Sequence, residues 1–147
     1  MLRLTLESMT EDDLPIIAYY QNTTAEALLP MLAAARVRLH EGRYYEPLAV
    51  RCDGGLVGVV SLFEQPDGTV CDGVDIFPPF RRRGYAFRAL SLLMEVARQR
   101  GFTTQTAQIR TDNTASIALH TKLSFAPGEP WINRRGHEVR TWRKELE

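Results

Sequence analysis

The sequence predicts one mixed α/β domain with helices set between strands, and three observations predict it. Residues 46–77 alternate like strands and are cut by turn signals at Asp53-Gly54-Gly55 and Asp67-Gly68. Ala86, Leu90, Leu93, Met94 and Ala97 then recur at helical spacing. A further strand over 103–110 is followed by a helix opened by Asn113. Strands that alternate with helices bury their apolar faces in layers around one core. The chain of 147 residues is the size of one domain, with no repeat, low-complexity tract or linker, so residues 1–147 are read as a single domain.

Each element has its own signal. Residues 2–7 alternate as a first strand. Thr10, three residues before Asp13, offers a capping box for a helix carrying Leu14, Ile17 and Ala18, with Pro15 near its start. Thr23 and Glu26 make a second such box, opening a helix expected to run toward Glu41, bend at Pro30 and stop at Gly42. Residues 48–52, Leu56–Phe63 and Val70–Phe77 form an antiparallel meander, because the Asp-Gly turns favour hairpins. Gly101 caps the long helix that starts after Pro78 and Pro79. The helix from Asn113 ends near Ser124. A turn at Pro127-Gly128, the pair Trp131-Ile132, Gly136 and a strand over 137–144 complete the chain.

Composition narrows the function. Hydrophobic residues make up 44% and charged residues 24%, which suits a globular rather than a disordered chain. The formal net charge is zero, so no electrostatic term drives general nucleic-acid binding. No segment approaches the length of a membrane span, and the N-terminus lacks the apolar stretch of a signal peptide. Cys52 and Cys71 make neither a disulfide framework nor a metal pair, and they read as cytosolic thiols. A cytoplasmic protein without metal, acting as monomer or homodimer, is expected.

The loop Arg81-Arg82-Arg83-Gly84-Tyr85-Ala86 carries the first chemistry. It lies between a strand and a helix, where unpaired backbone N–H groups and the helix dipole favour anions. Gly84 and the small Ala86 allow close approach of a ligand, and the arginines add charge-assisted bonds. Neither the Walker A pattern nor the dinucleotide pattern of glycines is present. Taken alone, the loop reads equally as an anion site or as a solvated basic turn.

A second segment, Asn113 to Phe125, follows after one helix and one strand. Together the two segments resemble the GCN5-related N-acetyltransferase (GNAT) family. Arg81, Gly84 and Ala86 match its Q/R-x-x-G-x-G/A motif. Asn113, Ser116, Leu119, Lys122 and Phe125 match its N-x-x-A/S-x-x-L-Y-x-K-x-G-F motif. Val74 to Pro78 resembles the strand end that precedes the loop in the family, and the element order also agrees.

The resemblance implies a twisted, mostly antiparallel sheet of about seven strands with flanking helices. Two neighbouring parallel strands, 70–77 and 103–110, would splay apart, and acetyl-CoA would lie in the opening. Backbone amides near Val74 and Ile76 would hold the acetyl carbonyl and pantetheine arm. Those of Arg83, Gly84, Tyr85 and Ala86 would hold the pyrophosphate, with Arg81 and Arg82 beside it. Asn113 would reach the pantetheine arm, and Ser116 and Lys122 complete the matched cofactor positions. Asn113, Ser116 and His120 share one helix face, which could line the cofactor.

The implied reaction is direct attack of a neutral primary amine on the thioester. His120 stands where the family carries tyrosine, and an imidazole can protonate a thiolate; it can equally be a packed helix residue. Ser124 stands where the family has glycine. Asp72, Glu64 and Asp75, in that order, are the candidates for the general base; as solvated strand-end carboxylates they would have no such role. Tyr19, Tyr20, Tyr44, Tyr45 and Trp131 could line the acceptor pocket, and Arg134 and Arg135 could meet a carboxylate. The run Ser116-Ile117-Ala118-Leu119-His120 resembles the branch that acetylates small amines. Protein N-terminal acetyltransferases share it, and a CoA-binding protein without catalysis remains a third possibility.

Overall fold

The computed structural model describes residues 3–147. The chain runs β1 (Leu4–Glu7), α1 (Leu14–Tyr20), α2 (Leu29–Val37), β2 (Leu39–His40), β3 (Arg43–Cys52) and β4 (Gly55–Glu64). It continues with β5 (Val70–Ile76), α3 (Tyr85–Gln99), β6 (Thr104–Arg110) and α4 (Thr114–Lys122). The last strands are β7 (Ala126–Pro127), β8 (Trp131–Ile132) and β9 (Glu138–Glu145). Residue 2, the start of the expected first strand, lies outside the described residues.

The strands form a mixed sheet in the order β1-β3-β4-β5-β6-β9-β7, with β2 on β3 and β8 on β9. Every pairing is antiparallel except β5 with β6. That parallel pair holds register only at Val70 with Gln105 and Cys71 with Thr106. Beyond those residues the two strands part, and the gap is the feature on which the site is built.

Side-chain alternation sends the strands' apolar residues into two cores. Val70 and Ile76 of β5 and Ala107 and Ile109 of β6 pack with Ala89, Leu90 and Leu93 of α3. Phe77 and Ala49 pack with Leu14 and Ile17 of α1 and Leu32 of α2 on the other face. Each fully buried leucine or isoleucine contributes roughly 1.5–3 kcal/mol. Ion pairs fix the helices to the sheet. Arg51 of β3 meets the buried Asp13 at 2.7 Å, and Asp13 also accepts from the Thr10 backbone, as the capping box predicts. Arg100, past the end of α3, grips the buried Glu46 of β3 through two bonds of 2.8 and 2.9 Å.

The expected helix from residue 23 to 41 is corrected. A single 3-10 turn, Glu26–Leu28, precedes α2, and Pro30 sits in the first turn of α2 rather than at a bend. Proline lacks an N–H and clashes with the preceding turn, so it starts a helix more readily than it continues one. Thr24, not Thr23, supplies the hydroxyl, accepting from the Ala27 N–H at 3.1 Å. The helix stops at Arg38, and Glu41-Gly42, both at positive φ, turn a hairpin between β2 and β3. Asp53-Gly54 turn β3 into β4 in the same way, as expected from sequence.

At the end of α4 the Phe125 N–H reaches back to the His120 carbonyl, with Ser124 at φ 69°. Glycine adopts this conformation without the steric cost that serine bears. Ser124→Gly is therefore expected to raise stability by about 0.5–1 kcal/mol, a gain of roughly 2–4 °C in Tm. Thermal unfolding of the two proteins checks it, and no gain would mean that the turn is unstrained.

Candidate active site

The cleft opens where β5 and β6 separate, and it encloses about 830 Å³. Its wall includes Val74 and Ile76 of β5, the loop residues Arg81, Arg82, Gly84, Tyr85 and Ala86, and Asn113, Ser116, His120 and Lys122 around α4. Nearly every cofactor position expected from sequence thus converges on one cavity. Arg83 is the exception among them: it is exposed and lies over the Phe80 ring at 6.0 Å.

The backbone of β5 presents donors to the gap. The Phe77 N–H donates to the Val57 carbonyl at 2.9 Å, continuing the β4–β5 register in which Ile76 faces Gly58. In an antiparallel ladder, alternate residues turn their N–H groups to opposite sides. The amides of Gly73 and Asp75 therefore face β4, like that of Phe77. Those of Val74 and Ile76 face away from it, into the space that β6 has left. The Ile76 carbonyl points the same way and accepts from Arg81 Nε at 2.7 Å, which pins the loop to the strand end.

The loop ends at Gly84, which holds φ 78° as the residue before α3. The first N–H groups of this 15-residue helix have no intrahelical acceptor and face the cleft end of the loop. Asn113 caps α4, its side chain accepting from the Ser116 N–H at 3.1 Å. The Lys122 ammonium rests 4.5 Å from the centre of the Phe87 ring, joining the end of α4 to the start of α3.

His120 and Asp72 form a pair that sequence reading did not foresee. The ring's Nε2–H donates to the Asp72 carboxylate at 3.1 Å, and its Nδ1–H donates to the Ser116 carbonyl at 2.9 Å. Both partners are acceptors only, so a ring that satisfies both carries two protons and a positive charge. The side chains are 4% and 2% exposed, respectively. Burial alone would lower the histidine's pKa, but the hydrogen bond and charge of Asp72, with the Ser116 carbonyl, raise it above the ordinary value. Gln105, buried on β6, donates to Asp72 at 2.9 Å and so ties both sides of the splay to one carboxylate. Its own Oε1 has no protein partner. The signal for Gln105 was a polar residue at the strand parity of Ala107 and Ile109.

The remaining candidates fall elsewhere. Glu64 does not reach the cleft wall; it accepts from the Tyr44 N–H at 3.2 Å, next to the still-paired end of β5. Asp75 does line the cleft, on the opposite strand face from Asp72. Tyr20 stacks on Phe77 with ring centres 4.4 Å apart, and the Tyr44 hydroxyl bonds to Glu46. None of Tyr19, Tyr20, Tyr44, Tyr45, Trp131, Arg134 or Arg135 belongs to the cleft wall. Among the described residues no group of three His, Cys, Asp or Glu side chains could hold a metal, and no helix is long and apolar enough to cross a membrane.

A splayed parallel pair, amides aimed into the gap and a glycine-led helix start make a cleft in an α/β domain suited to an extended ligand that carries phosphate. The sequence matches the acetyltransferase (GNAT) family over residues 6–125, and the chain belongs to that family. It is an acyltransferase with acetyl-CoA as co-substrate, and the residues described fit that ligand. No curated protein matches it by sequence. Among solved structures it is similar to yncA, a putative acetyltransferase from Salmonella typhimurium with acetyl-CoA, at TM-score 0.80 and 20% identity, covering 99% of this chain and 95% of that one. An acetyl transferase from Salmonella typhimurium that modifies the N-terminal serine of a 50S ribosomal subunit protein aligns at TM-score 0.81 and 18% identity, covering 98% and 95%. A spermidine N-acetyltransferase SpeG chimera from Vibrio cholerae and hSSAT aligns at 0.78 and 16%, covering 97% and 95%. At these identities the likeness is one of fold.

Proposed function

We propose that the chain transfers the acetyl group of acetyl-CoA to the primary amine of a small molecule by direct attack. The reading is supported by the run Ser116-Ile117-Ala118-Leu119-His120, which resembles the small-amine branch and whose helix lines the cleft. Asn133, between β8 and β9, donates to Gln108 of β6 at 2.9 Å and holds the terminal hairpin against the splay. The solved neighbours act on both kinds of acceptor: one modifies a ribosomal protein's N-terminal serine, another is a spermidine acetyltransferase.

In this reading the neutral amine nitrogen forms a bond to the acetyl carbon, the carbon–sulfur bond breaks, and the proton the nitrogen sheds passes to water. The amides of Val74 and Ile76 stabilise the developing oxyanion. The Nε2–H of His120, held on Asp72 before the reaction, turns to the departing thiolate and protonates it. The neutral ring keeps its Nδ1–H on Ser116 but then sets a lone pair against the Asp72 carboxylate, so it regains a proton from solvent. Asp72 is the positioning residue that keeps the ring charged.

Thiol release measured over a panel of small amines and N-terminal peptides tests the reading. Turnover of small amines is expected. Turnover of peptides alone would overturn the small-molecule assignment, and CoA binding without thiol release on any acceptor would make the chain a binding protein.

A further inference from the structure

Three carboxylates were candidates for the general base, and the fold leaves one of them in the cleft without a tight partner on both oxygens. Asp72 is buried between His120 and Gln105. Glu64 lies outside the cleft wall. Asp75 lines the cleft with its side chain 40% exposed. It projects from the sheet face opposite α3 and α4, away from the His120 pair. Its Oδ2 accepts from Gln21 Nε2, at the end of α1, at 3.3 Å. Its Oδ1 lies 3.7 Å from Arg81 Nη2, a loose contact to a guanidinium that is 57% exposed and already anchored through Nε to Ile76. Across the gap, Gln108 of β6 shares this face, since it alternates with the core residues Ala107 and Ile109.

We propose that Asp75 binds the ammonium group of the acceptor, which is therefore a cationic primary amine approaching on the face opposite His120. The assignment rests on the N-acetyltransferase reading and deepens it. A half-exposed carboxylate with one loosely held oxygen can form a charge-assisted bond to an arriving ammonium. It also remains open to water, which carries away the proton the amine must lose before attack. Gln21 is the positioning residue: it holds the other oxygen and so fixes the direction of the free one. The two strand faces divide the work, with the leaving group's proton supplied from one and the acceptor received on the other.

Asp75→Asn in the full chain tests this, because the amide keeps the shape and removes the charge. The KM for a primary amine should rise about tenfold or more, the worth of one charge-assisted bond. Acetyl-CoA affinity, read by calorimetry, and the melting temperature should stay unchanged. Gln21→Leu should raise the same KM about threefold, by loosening the carboxylate. An unchanged amine KM in Asp75→Asn overturns the assignment while leaving the transfer reading intact. A parallel loss of acetyl-CoA affinity would place Asp75 in the cofactor loop instead and would equally overturn it. If the native chain binds acetyl-CoA but acetylates no primary amine, the transfer reading fails and takes this assignment with it.

Discussion

Gly84→Glu is expected to abolish acetyl-CoA binding while leaving the chain folded. Gly84 has φ 78°, and a Cβ added there meets no protein atom within 4 Å. The protein itself therefore has room for a side chain, and the loss arises from the ligand and from backbone strain. A non-glycine residue in this left-handed conformation costs about 1–2 kcal/mol. The glutamate would also place a negative charge where the start of α3 offers its unpaired N–H groups to phosphate. The same charge favours the helix dipole, so folding should survive. Calorimetry should detect no binding at acetyl-CoA concentrations about 100-fold above the native Kd. Gly84→Ala carries the strain without the charge and should bind within about tenfold of native. Unchanged affinity in the glutamate variant would rule out the loop as the phosphate site.

Asp72→Ala should destabilise the folded chain. It would leave His120 Nε2 and Gln105 Nε2 without their acceptor, and the ring would shed its proton rather than stay charged, so the loss should be about 1–3 kcal/mol. The pair also gives stability a pH dependence of known sign. The histidine's pKa is raised in the folded chain, so its stabilisation is fully present below about 6.5, its value when unfolded, and fades as pH rises through the higher native value. The urea midpoint should accordingly fall on going from slightly acidic to alkaline pH. His120→Phe should remove that slope. It should also lower kcat by about 100-fold if the ring supplies the proton, with little change in acetyl-CoA affinity. A His120→Phe protein with native kcat would reduce the pair to a structural clamp.

The parts of this molecule that rest on local rules were open to sequence reading. The Asp53-Gly54 turn, the periodicity of α3 and the glycine cap at Gly101 each depend on a few neighbouring residues. The opposite facing of Asp72 and Asp75 followed from strand alternation alone. Pro30 misled because its effect depends on position: within the first turn it starts a helix, and farther in it bends one. The His120–Asp72 contact spans 48 positions, and no local pattern announces it. Asp72 shares strand parity with Val74 and Ile76. That same parity turns it toward α4, where the histidine claims it. The loop 81–86 stood out through its motif and does line the cleft, whereas Gln105 and Gln21 come into play only once the splay brings distant segments together.

The two-rung contact between β5 and β6 has a mechanical meaning. The sheet is two half-sheets sewn together by a single short seam, with Asp72, His120 and Gln105 as the stitch at its open end. This short pairing borders the cleft. A ligand that spans the gap would touch both sides of the seam, and the melting temperature should therefore rise with acetyl-CoA concentration.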